Sequence, residues 1–398
     1  MTMTAHTDRP LRVLHVLRAP LGGLFRHVVD LAREQAARGH AVGLVADSLT
    51  GGDRANDELS ALAPKLKLGV TRVPMRRNPH WTDLLAYRHV TRRIAECRPD
   101  VVHGHGSKGG LFARAPGLAP GAFPCVRAYT PHGGSFNYRP GTGIALLYMA
   151  AERILARATD IFMFESAYIG ERCEANVPGA RALKRVVHNG ISLDEAIPVN
   201  PAADAADFIY VGELRSAKGI DTLIDALALL IARTGRRSKA VLVGSGPDAE
   251  ALAARAKDKD IEDRVAMPGA MPARLAFPMG RVLLVPSRAE SLPYVVIEAT
   301  AAHMPIIATN VGGIPEIFGP YADRLIPCDD VERLAGEMQA ELALQEDQLR
   351  HRADDLAAFV VDHFTISNMV DGIIAGYRDA IAAQCAKPAG ATNAISTA

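Results

Sequence analysis

The chain has 398 residues, more than one hydrophobic core usually serves, and at roughly 100–200 residues per domain it is expected to hold two domains. Hydrophobic residues at 48% and charged residues at 22% exclude a chain disordered throughout, and a net charge of +1 excludes the surface-wide field that holds nucleic acid. Five widely spaced cysteines without a C-x-x-C pair exclude a disulfide framework and a zinc site, and no stretch approaches the roughly 18 apolar residues of a membrane span. With no apolar signal region in MTMTAHTDRP, a cytoplasmic location is expected.

Short apolar runs of strand length alternate with helix-period segments from the start. LRVLHVL (11–17) reads as a strand, Gly22-Gly23 as a loop, and the residues beyond as a helix with Leu24, Val28, Leu31 and Ala32 on one face. AVGLVA (41–46), DVVHGH (100–105), CVRAYTP (125–131), DIFMFE (160–165) and RVVHNG (185–190) continue the series in the manner of buried parallel strands. SLDEAIPVNPAADAAD (192–207) loses apolar periodicity and marks a linker. A second series follows with DFIYVGEL (207–214), KAVLVGSG (239–246), RVLLVPS (281–287) and PIIATN (305–310), and its first helix places Ile220, Leu223, Ile224, Leu227 and Ile231 on one face. The expected organisation is an N-terminal Rossmann-like domain over residues 10–195 and a C-terminal one over 205–370. A helix over 371–385 packs back across the junction, and residues 386–398 form a disordered tail. Two doubly wound α/β domains of this kind are expected to face each other across a cleft, since ligands sit beyond the carboxyl ends of parallel strands.

RVLLVPS leads directly into RAESLPYVVIEATAAHMP (288–305), which carries two glutamates eight residues apart. Glu290 falls in the loop after the strand. Ser291 is placed to cap a helix with Pro293 in its first turn, and Glu298, nearly two turns on, returns to the face of the cap. A phosphate on the free amides of that helix start, with one carboxylate for hydroxyls on each side, has the shape of a sugar nucleotide.

PSRAESLPYVVIEATAA followed by PIIATNVGGIPE resembles the donor-site signature of retaining glycosyltransferases of family 4 (glycosyl transferases group 1), which have the GT-B fold. VGELRSAKGIDTLIDAL (211–227), VLVGSGPD (241–248), VVHNGI (186–191), PDVVHGHGSKGG (99–110), YTPHGGSF (129–136) and the Gly22-Gly23 turn extend the resemblance over nearly the whole chain in order. The resemblance implies transfer of a hexosyl group from a UDP- or GDP-sugar to a sugar acceptor with retention at the anomeric carbon. It places Glu290 beside the donor sugar, Glu298 on the ribose, and the amides at Ser291 and Leu292 on the diphosphate. Lys218 and Arg215 would neutralise the leaving group, Gly22 and Gly23 would let the backbone approach the phosphates, and His132 would reach the reacting sugar. Family members commonly read Gly-Arg-Leu where this chain has Gly212-Glu213-Leu214, so Arg215 is expected to take over the arginine's role and Glu213 to point away from the phosphates. His303 stands where glycine is frequent before Pro305.

Asp258-Lys259-Asp260 spells a D-x-D, but within KDKDIEDR it reads as a solvated charge run, so no metal and no other cofactor is expected. A nicotinamide-dependent oxidoreductase would need G-x-G-x-x-G, which APLGGLFRH does not supply. The reading from another class is a catalytically weak nucleotide-sugar-binding scaffold protein of a polysaccharide assembly. Residues 72–98 concentrate seven arginines, among them Arg76 and Arg77, around Trp81 and Tyr87. Such a segment suits an anionic membrane surface and a lipid-linked oligosaccharide acceptor at the inner face of the cytoplasmic membrane, with Arg76, Arg77, Trp81 and His105 on the acceptor or membrane side.

Overall fold

A computed structural model describes residues 9–137 and 142–386. The chain divides into two compact units: one runs up to His188 and resumes at Ile366, the other is Asn189–Thr365. The first unit is built on β1 (Arg12–Leu17), β2 (Ala41–Asp47), β3 (Gly69–Val73), β4 (Val101–His105), β5 (Val126–Thr130), β6 (Ile161–Phe164) and β7 (Leu183–Val186). They form one parallel sheet in the order β3-β2-β1-β4-β5-β6-β7. β4, β5 and β6 are buried along their whole length, and with their apolar residues they bury His103, His105, Arg127 and Thr130. Strand order reverses between β1 and β4, and the register there sets His15 beside His103 and Leu17 beside His105. Period-2 alternation then puts His15, His103 and His105 on one face of the sheet.

The second unit carries β8 (Ala206–Val211), β9 (Ala240–Val243), β10 (Val265–Gly269), β11 (Gly280–Val285) and β12 (Ile306–Ala308), parallel in the order β10-β9-β8-β11-β12. β8 and β11 are neighbours at its reversal point, so the loops that leave their carboxyl ends lie side by side. These two doubly wound units form the GT-B fold.

Some boundaries differ from the sequence-based expectation. β3 and β10 were not anticipated: both are edge strands, half-exposed along most of their length, and β10 contains Pro268, which an edge tolerates. The strand expected over 185–190 is β7, ending at Val186. The chain changes unit at Asn189, earlier than the expected linker. The Asn189 amide donates to the Leu292 carbonyl at 2.9 Å, and Ile191 bonds Phe364 and bridges Thr365. The linker itself is ordered at its start, where Ser192 caps the turn Leu193–Ala196 in a capping box with Glu195. The C-terminal helix runs Ile366–Ala386, beginning before the expected 371, and packs Met369, Val370, Ile373, Ile374 and Tyr377 into the core of the first unit. Residues 387–398 of the expected tail lie outside the described residues.

One buried ion pair ties the first unit together. Arg114, ending the helix Gly106–Arg114, donates to Glu152 of the helix Gly143–Leu155 at 2.8 Å, with both side chains buried. The Tyr129 hydroxyl (3.0 Å) and the Ser135 hydroxyl (2.7 Å) donate to the other Glu152 oxygen, and the guanidinium lies 3.6 Å from the Tyr129 ring centre. Burial pushes the Tyr129 phenol well up, with the Glu152 charge adding to it. A buried pair of this kind is costly to break from one side because the remaining charge is left uncompensated. Arg114→Ala and Glu152→Ala are each expected to lose about 3–5 kcal/mol, and Arg114→Met combined with Glu152→Leu to lose less than either single change. Denaturant unfolding of the three variants checks the order.

Candidate functional site

The loop after β11 is held from both sides by glycines. A Cβ on Gly219 (φ +64) would lie 2.0 Å from the Pro286 carbonyl oxygen, and a Cβ on Gly312 (φ +60) would lie 1.9 Å from the Glu290 carbonyl oxygen. Both glycines also adopt the left-handed backbone that a side chain disfavours. Arg288 staples the loop to the chain that follows β8: its guanidinium reaches Asp221 (2.8 Å), Thr222 (3.2 Å) and Asp329, and its amide donates to the Ala217 carbonyl at 2.9 Å. These carboxylates raise the Arg288 pKa further.

Within this frame the Lys218 ammonium donates to Glu290 Oε1 at 2.6 Å, and the Ser287 hydroxyl donates to the same oxygen at 2.7 Å. Glu290 is buried and Lys218 largely so. Tyr210, at the end of β8, has its phenol pKa raised by burial and then by the Glu290 charge, and its hydroxyl donates to the Glu213 carbonyl at 2.9 Å.

The helix expected to begin at a Ser291 cap begins instead at Tyr294, with Pro293 in the N-cap position and no side-chain cap. Pro293 is extended (φ −73°, ψ 122°), and Ser291 lies two residues ahead of it in the preceding turn. The first intrahelical bond runs from the Val296 amide to the Pro293 carbonyl, so the Tyr294 and Val295 amides open the helix. Glu298 is four residues beyond Tyr294, one turn up the same side, and is half-buried. Leu292 is buried, with its carbonyl bonded to Asn189. The structure thus brings Lys218 and Glu290 into contact, with Leu292 and Glu298 on the segment that follows.

Arg215 does not meet any of these groups directly: its Nε pairs with Glu213 at 2.9 Å, both side chains about half-exposed. Glu213 thus has Arg215 as its ionic partner. His303 adopts φ +58, which accounts for glycine being common there, and its ring bonds Asp354 at 2.5 Å. Asp258 ends a helix and Lys259 pairs with Asp225 at 3.4 Å.

The first unit gathers five histidines at the β1/β4 reversal. His15 Nδ1 lies 3.0 Å from His105 Nε2, His105 Nδ1 lies 3.1 Å from His132 Nε2, and His15 Nε2 is bonded to Gln35 Oε1 at 2.9 Å. His103 is bonded to the Tyr377 hydroxyl (2.7 Å) and the Thr130 hydroxyl (2.8 Å), and His27 meets His132 edge-on with ring centres 4.7 Å apart. Burial lowers His15 to about 4 and His103, His105 and His132 well below the usual histidine range, so the rings are neutral near pH 7. Nitrogens of His15/His103/His105 and of His27/His105/His132 fall within 4.8 Å of one another, close enough for a metal, although hydrogen bonds already occupy both nitrogens of His15, His103 and His105.

His132 takes φ +50 and is followed by Gly133 (+72) and Gly134 (+35), three left-handed residues in succession. Such strain on a non-glycine costs about 1–3 kcal/mol and concentrates at functional positions. His105 and His132 line a cavity of about 350 Å³ together with Arg18, Arg77, Lys108 and Tyr148. Lys108 is bonded to Asp83 at 2.8 Å, whereas burial and then the charge of Arg77 lower the pKa of Arg18. Arg76 is exposed and Trp81 is 74% exposed. Gly22 begins the helix Gly22–Ala37 at φ +61, with Gly23 exposed beside it.

Residues 21–195 match the family Glycosyltransferase Family 4, and residues 194–357 match Glycosyl transferases group 1. The chain belongs to the group 1 glycosyltransferases of family 4. It is 32% identical to the D-inositol 3-phosphate glycosyltransferase of Segniliparus rotundus over 217 residues, 49% of this chain and 47% of that protein. The chain spans about half the length of the curated relatives it matches. Among solved structures, sucrose-phosphate synthase of Thermosynechococcus elongatus superposes with a TM-score of 0.76 at 21% identity, over 94% of this chain and 100% of that one. Anabaena HepE in complex with UDP-glucose gives 0.72 at 17% identity, over 92% and 99%. At such identities the likeness is one of fold.

Sequence reading of this family member missed Ser287, Arg288, Gly219 and Gly312. Ser287 and Arg288 sit next to Glu290 in PSRAES, and that adjacency was the available signal. Gly312→Ala would drive a methyl group into the Glu290 backbone. Thermal unfolding and titration with a nucleoside diphosphate are expected to show lower stability and weaker binding, while Gly336→Ala, at an open helical glycine, changes neither by much.

Proposed function

We propose that the chain transfers a hexosyl group, with retention at the anomeric carbon, from a UDP- or GDP-sugar to a lipid-linked sugar acceptor at the cytoplasmic face of a membrane, without a metal. The observation that carries this reading is the Lys218–Glu290–Ser287 contact at the carboxyl ends of β8 and β11, next to the start of the helix Tyr294–Ala301. A diphosphate over that helix start receives the Leu292, Tyr294 and Val295 amides and the positive end of the dipole. Lys218, released in part from Glu290, meets the leaving-group charge, and Glu290 turns to the hydroxyls of the donor sugar. Glu298, one turn up the helix, takes the ribose. Arg215 is held only by an exposed pair with Glu213, worth about 0–1 kcal/mol, so it is available to the diphosphate at small cost. The UDP-glucose in Anabaena HepE supports a nucleotide-sugar donor.

On the first unit, the Gly22 and Gly23 backbone suits contact with a phosphate, and His132 suits contact with a sugar hydroxyl. The cavity beside His132 suits the acceptor. Arg18 and Arg77 supply positive charge for an acceptor diphosphate, and Arg76 with exposed Trp81, Leu84 and Leu85 suits contact with an anionic bilayer. No helix among the described residues is long and apolar enough to cross a membrane, so the contact proposed is peripheral.

Purified chain incubated with nucleotide sugars, a lipid diphosphate-linked sugar and a chelator is expected to turn over. Glu298→Ala raises the donor KM, Glu290→Ala mainly lowers kcat, and Lys218→Met lowers kcat/KM by tens- to a thousandfold, about 2–4 kcal/mol. Sedimentation with vesicles is expected to require anionic lipid and to weaken with salt. Donor binding without turnover on any acceptor would favour the scaffold reading, and wild-type kinetics in both glutamate variants would remove these acids from the donor site.

A further inference from the structure

Three buried side chains of the first unit and the half-buried His132 form one line of hydrogen bonds: Gln35 to His15 at 2.9 Å, His15 to His105 at 3.0 Å, and His105 to His132 at 3.1 Å. A neutral imidazole has one nitrogen that donates and one that accepts, so each ring passes its polarity to the next. The Gln35 carbonyl oxygen only accepts. His15 therefore donates from Nε2 and accepts at Nδ1, His105 donates from Nε2 and accepts at Nδ1, and His132 donates from Nε2. The lone pair that remains is on His132 Nδ1, in a ring that lines the cavity. Turning the Gln35 amide over would reverse every proton in the line.

We propose that Gln35, His15 and His105 are positioning residues that lock His132 in its Nε2–H form, so that it offers Nδ1 as an acceptor to a substrate hydroxyl in the cavity. Its catalytic consequence rests on the reading of His132 as the group beside the transferring sugar, whereas the tautomer itself does not. The surroundings favour neutral rings throughout. His27 from the helix Gly22–Ala37, His103 from β4, Thr130 from β5 and Tyr377 from the C-terminal helix are the neighbours, and Arg18, Arg77 and the Lys108–Asp83 pair line the same cavity as His132. Burial opposes a second proton on any ring. A metal in either histidine triad would have to break hydrogen bonds that now satisfy both nitrogens of His105, and the His15 triad would also lose those of His15 and His103.

The test is the protonation state of each ring nitrogen in the full chain labelled with 15N-histidine. The 13 histidines are assigned by single substitutions such as His15→Asn and His132→Asn, and the readout is long-range 1H–15N spectra near pH 7. His15, His105 and His132 are expected to carry the proton on Nε2. Gln35→Glu keeps an acceptor at this place and is expected to leave every proton in the line where it is. Gln35→Leu removes the reference and gives His132 as a mixture, with kcat lowered severalfold at unchanged donor KM. A wild-type His132 protonated on Nδ1, a His132 unmoved by Gln35→Leu, or stoichiometric Zn2+ in the purified chain that His105→Ala removes would each overturn the lock. Tautomers that follow the scheme with kcat unaffected would sustain the lock and overturn the reading of His132 as the group beside the sugar.

Discussion

Two backbone carbonyls pressed against two glycines are the constraint on which the candidate donor site depends. Gly219 leaves room only for the Pro286 carbonyl and Gly312 only for that of Glu290, so the turn between β11 and the following helix has one seat. Everything chemical in the second unit follows from that seat. It brings Glu290 within 2.6 Å of Lys218 and delivers the chain to Pro293 extended, so that the helix opens at Tyr294. Arg288 reinforces it, because its guanidinium spans the two loops that leave neighbouring strands at the sheet's reversal point. Groups held this way need little reorganisation when charge develops on a leaving group, and fixed donors of that kind are usually the largest single contribution to enzymatic rate enhancement.

The first unit uses the same architecture for a different electrostatic purpose. At its reversal point a bank of neutral rings stands beside the Lys108–Asp83 pair, and burial is what keeps the rings neutral. A neutral ring can accept a hydrogen bond from a hydroxyl without itself carrying a positive charge. The buried Arg114–Glu152 pair lies on neighbouring elements, and its role is structural: Glu152 is fully engaged by Arg114, Tyr129 and Ser135.

The fold was legible wherever strands are buried on both faces, because β1, β6, β8 and β11 leave largely apolar runs of the kind a covered parallel sheet requires. It was illegible at the edges, where GVTRV and VAMPG are half-exposed and carry too few apolar residues to declare a strand. Glu290 and Lys218 were legible through their motifs. The start of the helix after them was not, since a serine two residues ahead of a proline mimics a cap and only the extended conformation of Pro293 moves the helix onward. The histidine line was hidden for a different reason. His15, His105 and His132 are far apart in sequence and meet only through the β1/β4 register and the strained turn after β5, and Gln35 is one polar residue among many on its helix.

The central claim is that a nucleoside diphosphate sits on the loops after β8 and β11. Hydrogen–deuterium exchange of the full chain with and without UDP or GDP tests it most directly, because amides report contact whether or not an acceptor is known. The account predicts added protection over residues 212–220 and 287–298, lost in Lys218→Met, with β10 at the far edge of that sheet unchanged. Protection absent from both segments at saturating nucleotide, or found only around β10, would contradict it.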